Sequence, residues 1–375
     1  MAKKIALVHD YIKEYGGAEK VLETLHTMYP DAPVFTLVYC PDFLGPHKER
    51  FTNWDIRPSF LQYLPFKHKF ISIFRLFAPF IFKTFDFAGF EIIIVSATGA
   101  YNPNMIEKKN AKQICYCHTP PRYLYGYATA REWKKNLFLR ILGETANHFL
   151  RLIDYRSSQN VDQFIANSEN IKKRIEKFYR RDAIVVYPPA VKVSRSKYHV
   201  VSIKKESYYL AGGRLARAKH YDLIIKACAE LGLALKIFGK GFAGYEEELR
   251  ALHSSLGKEH SEFLGEVPDD KKFELMRGAK AFVFAGEDED FGIMPVESMS
   301  VGTPVIAYKS GGVLETVVDG KTGIFFKELT VSSLVSAIKK FEKLKLRAED
   351  CIKQSERFSE EKFKKEIEKI VIKLS

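Results

Sequence analysis

Short apolar runs alternate with stretches of helical period from one end of this 375-residue chain to the other, and Gly, Pro, Asn and Ser collect between them. Runs that short, bounded that way, predict buried strands. In the first half they fall at Ile5 to Val8, Val34 to Val38, Ile92 to Ser96, Gln113 to Cys117, Phe164 to Asn167 and Ala183 to Tyr187. A second series follows at Ser207 to Ala211, Leu235 to Phe238, Glu262 to Leu264, Ala281 to Ala285, Pro304 to Ala307 and Gly323 to Phe326. Helical patterns lie between them, such as Tyr221 to Leu231, and the alternation predicts doubly wound α/β architecture. Pro188 to Lys197, with its proline pair and polar run, reads as a linker between the series. The expectation is two Rossmann-like domains, residues 1–190 and 191–358, facing an interdomain cleft. Helical segments at about Val331 to Lys345 and Ser359 to Leu374 have no strand after them, so the last, about 359–375, is expected to return to the first domain.

Phe60 to Phe85 breaks the pattern, combining dense phenylalanine with Lys67, Lys69, Arg75 and Lys83 and no acidic residue. Phe66, Phe70, Phe74 and Phe77 recur at helical spacing with Ile73 on the same side, and Pro65 and Pro79 bound a helix of roughly four turns. Such a stripe suits either a helix lying in a membrane interface or an aromatic stripe in the core.

The formal charge is +13, and +9 of it falls in residues 1–190, which favours an anionic partner: nucleic acid, anionic lipid or a phosphorylated substrate. No nucleic-acid readout motif appears and the basic residues are dispersed, so nucleic acid is not expected. Cys40, Cys115, Cys117, Cys228 and Cys351 are odd in number and lack CxxC spacing, which supports neither a disulfide framework nor a zinc knuckle. Cys115 and Cys117 read as buried strand cysteines, and a reducing cytosol fits. Met1 to Asp10 reads as the first strand rather than a signal peptide, and no apolar run approaches the roughly 20 residues of a membrane-spanning helix.

Four segments carry candidate chemistry. Gly286 to Glu297 sets Glu289 and Glu297 eight positions apart around Phe291-Gly292, after a strand and at the start of a helix. The unpaired first amides of that helix, from Ile293 on, suit a phosphate, while the two carboxylates suit sugar hydroxyls. Gly212-Gly213 precede Arg214 and Lys219, two cations placed to neutralise a departing diphosphate. Gly16-Gly17 follow the opening strand as a close-approach loop, without the GxGxxG spacing of nicotinamide sites or a Walker A motif. His118 ends the strand before Thr119-Pro120-Pro121 and faces the expected ligand crevice.

Together these pieces, which span almost the whole chain, resemble the retaining GT-B glycosyltransferases of family 4. The Glu-x7-Glu signature matches Glu289 and Glu297, the Arg-x4-Lys pair matches Arg214 and Lys219, and Gly16-Gly17-Ala18-Glu19, His118-Thr119-Pro120 and Asn167-Ser168 match first-domain landmarks. The resemblance implies that Arg214 and Lys219 bind the donor diphosphate. It implies that Glu289 and the Phe291-Gly292 backbone hold the transferred sugar, that Glu297 binds the ribose and that His118 contacts the donor sugar. Gly239 and Gly241 would line the nucleotide pocket, and Phe263 to Val267 would read the base. Catalysis would be front-face substitution with retention, without a cofactor; Asp288 and Asp290 spell DxD, but Arg214 and Lys219 fill the cationic role, so metal independence is expected. Tyr116 to Leu124 and Tyr187-Pro188-Pro189 resemble mannosyltransferases of O-antigen or capsule synthesis. That subgroup implies GDP-mannose as donor, a polyprenyl-diphosphate-linked saccharide as acceptor, and a cytoplasmic, peripheral place on the cytosolic face of the inner membrane. The alternatives are a UDP-sugar donor, a GT-B sugar-nucleotide epimerase and a noncatalytic nucleotide-sugar binding protein.

Overall fold

The computed structural model describes residues 4–127, 137–190, 206–256 and 260–374. The chain divides into two compact units: the first comprises residues up to 127, 137–189 and 361 onward, and the second residues 190–360. From residue 191 on, the expected linker lies outside the described residues.

Unit 1 is built on strands β1 (Ile5–His9), β2 (Val34–Thr36), β3 (Ile56–Pro58), β4 (Ile92–Ala97), β5 (Lys112–Cys117), β6 (Gln163–Ala166) and β7 (Ala183–Val185). They form one parallel sheet in the order β3-β2-β1-β4-β5-β6-β7. The period-two pattern sorts both faces into core: Ala6, Val8, Ile93, Val95, Cys115, Cys117 and Phe164 pack on one side, and Ile5, Leu7, Ile92, Ile94, Ile114, Tyr116 and Ile165 on the other. Helices α1 (Gly17–Met28), α2 (Lys67–Phe74), α3 (Ala78–Phe82), α4 (Arg122–Tyr125), α5 (Leu137–Gln159) and α6 (Glu169–Tyr179) belong to this unit.

Unit 2 holds β8 (Tyr208–Gly212), β9 (Ala234–Phe238), β10 (Ser261–Gly265), β11 (Phe282–Phe284), β12 (Val305–Tyr308) and β13 (Gly323–Phe326), parallel in the order β10-β9-β8-β11-β12-β13. Its helices are α7 (Tyr221–Leu231), α8 (Tyr245–Ser255), α9 (Asp269–Gly278), α10 (Ile293–Ser300), α11 (Val313–Thr316), α12 (Val331–Phe341) and α13 (Ala348–Ser355). The last helix, α14 (Glu360–Lys373), belongs to unit 1, where Phe363, Ile367, Ile370 and Val371 pack on the Ile5, Leu7 and Tyr116 face of the sheet. In each sheet the strand order reverses once, at β1/β4 and at β8/β11; the crevice outside the strands' carboxyl ends there is where open α/β sheets take ligands.

Three elements depart from expectation. Edge strand β3 was not anticipated: it is short, only part-buried and ends in Pro58, which the sheet tolerates only at an edge. The helix of four turns expected between Pro65 and Pro79 is instead α2 and α3, separated at Arg75 to Phe77. Phe74, Ile81 and Phe82 enter the core, whereas Phe66, Phe70, Ile73 and Phe77 are exposed; the side chains of residues 68, 69, 71 and 72 lie outside the description. The long helix α5 and the short helix α13 were also unforeseen. All five cysteines are buried and free, Cys115 and Cys117 within β5. Among the described residues no helix is long and apolar enough to cross a membrane.

Candidate active site

In unit 2 the carboxyl ends of β8 and β11 bring together the residues of two sequence motifs. The loop after β8 carries Gly213, Arg214 and Lys219, and the loop after β11 carries Glu289, Phe291 and Gly292, the N-cap of α10. Lys219 Nζ makes an ion pair with Glu289, seventy residues on, and stands 5.1 Å from the centre of the Phe284 ring. Glu287 N donates to Ala218 O at 2.9 Å, fastening one loop to the other. The Arg214 guanidinium lies 5.6 Å from the Phe242 ring centre. Gly239, after β9, has φ +129°, and a Cβ there would sit 1.8 Å from Gly213 O, so the two backbones meet as only glycine permits. The Gly241 amide donates to Glu246 Oε2 at 3.0 Å, which leaves its carbonyl and Cα as the groups it can offer a ligand. Phe291 is buried against Phe358, ring centres 5.3 Å apart, so it can reach a ligand only through its backbone.

Glu297 is buried, and its partner was not anticipated: Lys272 Nζ of α9 lies 3.1 Å from Glu297 Oε2 and 2.9 Å from Asp269 Oδ1. Burial works against the Lys272 charge, but Glu297 and Asp269 outweigh it and hold the ammonium above the usual lysine range. Glu297 is thereby held in place beside a cation as a hydrogen-bond acceptor. A second unanticipated element is Ser310-Gly311-Gly312 after β12, which wraps the Glu289 loop. Gly312 N donates to Glu289 O at 2.7 Å and Ser310 Oγ accepts from Asp288 N at 3.3 Å. At Gly311, with φ +65°, a Cβ would lie 2.2 Å from Glu289 O. Two glycines just past a strand's carboxyl end were the available signal, the same one that marked Gly212-Gly213. Asp288 and Asp290 flank Glu289, and among the described residues no group of three or more His, Cys, Asp or Glu gathers as a metal site.

In unit 1 the residues around the β1/β4 switch point form a buried polar chain. His9 Nδ1 and Ser96 Oγ are 3.1 Å apart, Ser96 Oγ and His118 Nε2 2.9 Å, and Glu19 Oε1 lies 3.5 Å from His9 Nε2. Asn167 Nδ2 donates to His118 O at 2.9 Å and Arg174 to Thr119 Oγ1 at 3.2 Å, so the landmarks at 118–119 and 167 lock together. Burial, with His9 beside it and against the pull of Glu19, pushes His118 down to about 3, leaving it neutral at physiological pH. Asp10, fully buried, accepts from Thr98 N at 2.6 Å and from the Thr98 hydroxyl; burial raises its carboxyl above the usual range despite those bonds. At the loop of Gly16 and Gly17, Glu19 Oε2 accepts from Gly16 N at 2.9 Å as α1 begins. The sequence carries the signal for this cap, since Glu19 stands three residues after the N-cap Gly16. His9, Ser96 and Asp10 were missed, since on sequence they are ordinary ends of strands.

Residues 195–358 match the family described as glycosyl transferases group 1, and residues 15–195 match glycosyltransferase family 4. The chain is a group 1 glycosyltransferase of the GT-B fold. It is similar to an alpha-1,3/1,6-mannosyltransferase of Dictyostelium discoideum, 24% identical over 306 residues that cover 71% of this chain and 70% of that one. A GDP-mannose-dependent phosphatidylinositol monomannoside mannosyltransferase of Mycolicibacterium smegmatis is 36% identical over 138 residues, 33% of this chain and 36% of that protein's length. Among solved structures, an Anabaena protein in complex with UDP and glucose superposes with TM-score 0.73 at 18% identity, covering 99% of this chain and 100% of that one, a likeness of fold. For the group 1 glycosyltransferase, the two matched regions meet at residue 195, five residues after the second unit begins.

Proposed function

We propose that the chain transfers mannose from GDP-mannose to a polyprenyl-diphosphate-linked saccharide, with retention, in cell-surface polysaccharide synthesis. The observation that carries the reading is the Lys219–Glu289 ion pair at the β8/β11 switch point, beside Arg214 and ahead of the first turn of α10. It sets cationic groups for a diphosphate beside a carboxylate that accepts from sugar hydroxyls. Glu297, fixed by Lys272, supplies an acceptor for the ribose. In the reaction the acceptor hydroxyl oxygen bonds to the anomeric carbon on the face from which the nucleoside diphosphate leaves. The bond to the departing phosphate oxygen breaks and the hydroxyl proton passes to that phosphate. Arg214 and Lys219 offset the charge that grows there, so neither a metal nor a carboxylate nucleophile is assigned a step. His118 is assigned to the donor sugar, and Gly16 and Gly17 to donor binding, on the strength of the family motifs they match. Mannose is supported by the mannosyltransferase relatives. A lipid-linked acceptor is supported by the basic excess of residues 1–190 and the exposed phenylalanines at 60–80, which also suit a peripheral place on the cytosolic face of a membrane.

Two measurements on purified protein test this. In a thermal-shift panel of nucleotide sugars, GDP-mannose should stabilise more than UDP-glucose or UDP-galactose; equal shifts, or a larger one with a UDP-sugar, overturn the donor. With labelled GDP-mannose and a lipid-linked saccharide, label should enter the organic phase in excess chelator. Lys219→Ala should lower that rate by about 100-fold or more with little change in melting temperature. Near-normal turnover by the variant removes Lys219 from the chemistry, and loss restored by magnesium removes metal independence.

A further inference from the structure

Helix α5 is amphipathic in the inverted sense. Its buried positions are largely polar, Asn147, Asp154, Ser157 and Ser158, whereas Ile141, Leu142, Phe149, Leu152 and Tyr155 are exposed, Ile141 at 62% and Phe149 and Leu142 at 60%. The polar face is turned inward because unit 1 supplies its partners. Asn147 donates to Tyr123 O, Arg151 Nη1 to Leu124 O at 2.9 Å, and Asp154 Oδ2 accepts from Tyr125 OH at 2.7 Å. Those same contacts leave the apolar stripe outward, at the i, i+3, i+4 spacing of one helical face.

A second apolar surface lies in the same unit. Phe60, Leu64, Phe70, Ile73, Phe77 and Phe80 line an open apolar groove of about 550 Å³ whose walls carry no polar surface. Helix α4 contacts both elements: the Arg75 guanidinium, next to Phe74 of α2, stacks 4.8 Å from the Tyr123 ring centre, and Tyr123 O accepts from Asn147 on the inward face of α5. Between residues 140 and 156 the exposed charged groups of α5 are Arg140 and Arg156, both basic; Glu144 lies 3.9 Å from Arg151 and Asp154 is buried. Residues 60–85 contain no acid.

We propose that the apolar face of α5 and the phenylalanine groove of α2 and α3 together dock unit 1 on an anionic lipid bilayer. Apolar side chains beside exposed arginines, with Asp154 buried and Glu144 held near Arg151, complement acyl chains beneath phosphate headgroups. A second copy of the chain fits less well, since a two-fold contact would set the same basic residues against each other. The proposal extends the lipid-linked-acceptor reading and rests on it for its purpose, but the surface is tested separately from the nucleotide site.

The test is co-sedimentation of the full chain with vesicles of phosphatidylcholine, alone or with about one third phosphatidylglycerol. Wild type should pellet with the anionic vesicles and far less with the neutral ones. The double variants Phe149→Ser/Leu152→Ser and Phe70→Ser/Phe77→Ser should each lower the vesicle partition by about tenfold or more. All four residues are exposed, so circular dichroism and melting temperature should hold, as should the GDP-mannose thermal shift. The proposal is overturned by an α5 variant that pellets as wild type does, by equal pelleting with both vesicles, or by a wild type that stays in the supernatant. It is also overturned by light scattering that shows a dimer which the α5 variant converts to monomer while vesicle binding is unchanged. A variant that loses vesicles yet keeps the nucleotide shift supports the surface, and a missing GDP-mannose shift in wild type, with vesicles still bound, removes the donor reading alone.

Discussion

His118 draws its chemical character from the buried residues behind it. Glu19 favours the His9 proton on Nε2, so His9 Nδ1 has a lone pair and Ser96 donates to it. Ser96 Oγ then accepts from His118 Nε2–H, which leaves His118 Nδ1 as an acceptor. A neutral imidazole with that tautomer receives a hydrogen bond from a hydroxyl rather than giving one. Nitrogen-15 NMR of labelled histidine should therefore report the Nε2–H tautomer for His118, and Ser96→Ala should shift the ring toward a tautomer mixture. An Nδ1–H tautomer in wild type, or an unchanged ratio in the variant, would overturn the relay. Candidate site residues could be named where residue types recur at fixed spacing, as with Arg214 and Lys219 or Glu289 and Glu297. Lys272 could not be, because its pairing with Glu297 across twenty-five positions depends on α9 packing beside α10, a tertiary fact with no local signature.

At the scale of elements, strands at the centre of each sheet were legible because burial on both faces requires continuous apolar runs. Helix α5 was legible only in part: its apolar residues recur at helical spacing, but the pattern does not say which face turns inward, and here it is the polar one. That choice leaves a trace in the pH dependence of stability. Burial raises the Asp154 carboxyl to about 7, against hydrogen bonds from Tyr125 and Tyr179, from an ordinary value of 3.8. Its folded value lies above its unfolded one, so between about pH 4 and about pH 7 the folded chain holds more protons and loses stability as pH rises. Asp154→Asn keeps the acceptor oxygen for the tyrosines but does not ionise. Its stability relative to wild type should climb between pH 5 and pH 7 at up to about 1.4 kcal/mol per pH unit, then level off. Urea titrations at pH 5, 7 and 8 read this; a constant difference between the two proteins would mean that Asp154 is ionised throughout.

For the molecule as a whole, the alternation of strands and helices announced two Rossmann-like sheets. The last helix, with no strand after it, was expected to return to the first domain, and it does; which face it covers was not legible, since an amphipathic helix fits many faces. Helix α14 closes the first sheet rather than the second, with Phe363 set edge-on to Tyr116 of β5 at 5.7 Å. Unit 1's core therefore includes residues from both ends of the chain, whereas the buried cluster around Tyr209, Ile237, Val283 and Leu334 lies wholly within unit 2. Two separate cores predict separate stabilities. Phe363→Ala removes a fully buried ring, a loss of about 3 to 5 kcal/mol in a well-packed core, and that loss should fall on unit 1. Hydrogen exchange read by mass spectrometry should then show faster exchange in β1, β4 and β5 while β8, β11 and β12 keep their protection. If instead both sheets lose protection in parallel, the cores unfold as one cooperative body and α14 stabilises the whole chain. Protection unchanged in every strand would mean that the helix contributes little to the first core, despite the burial of Phe363 and Ile367 there.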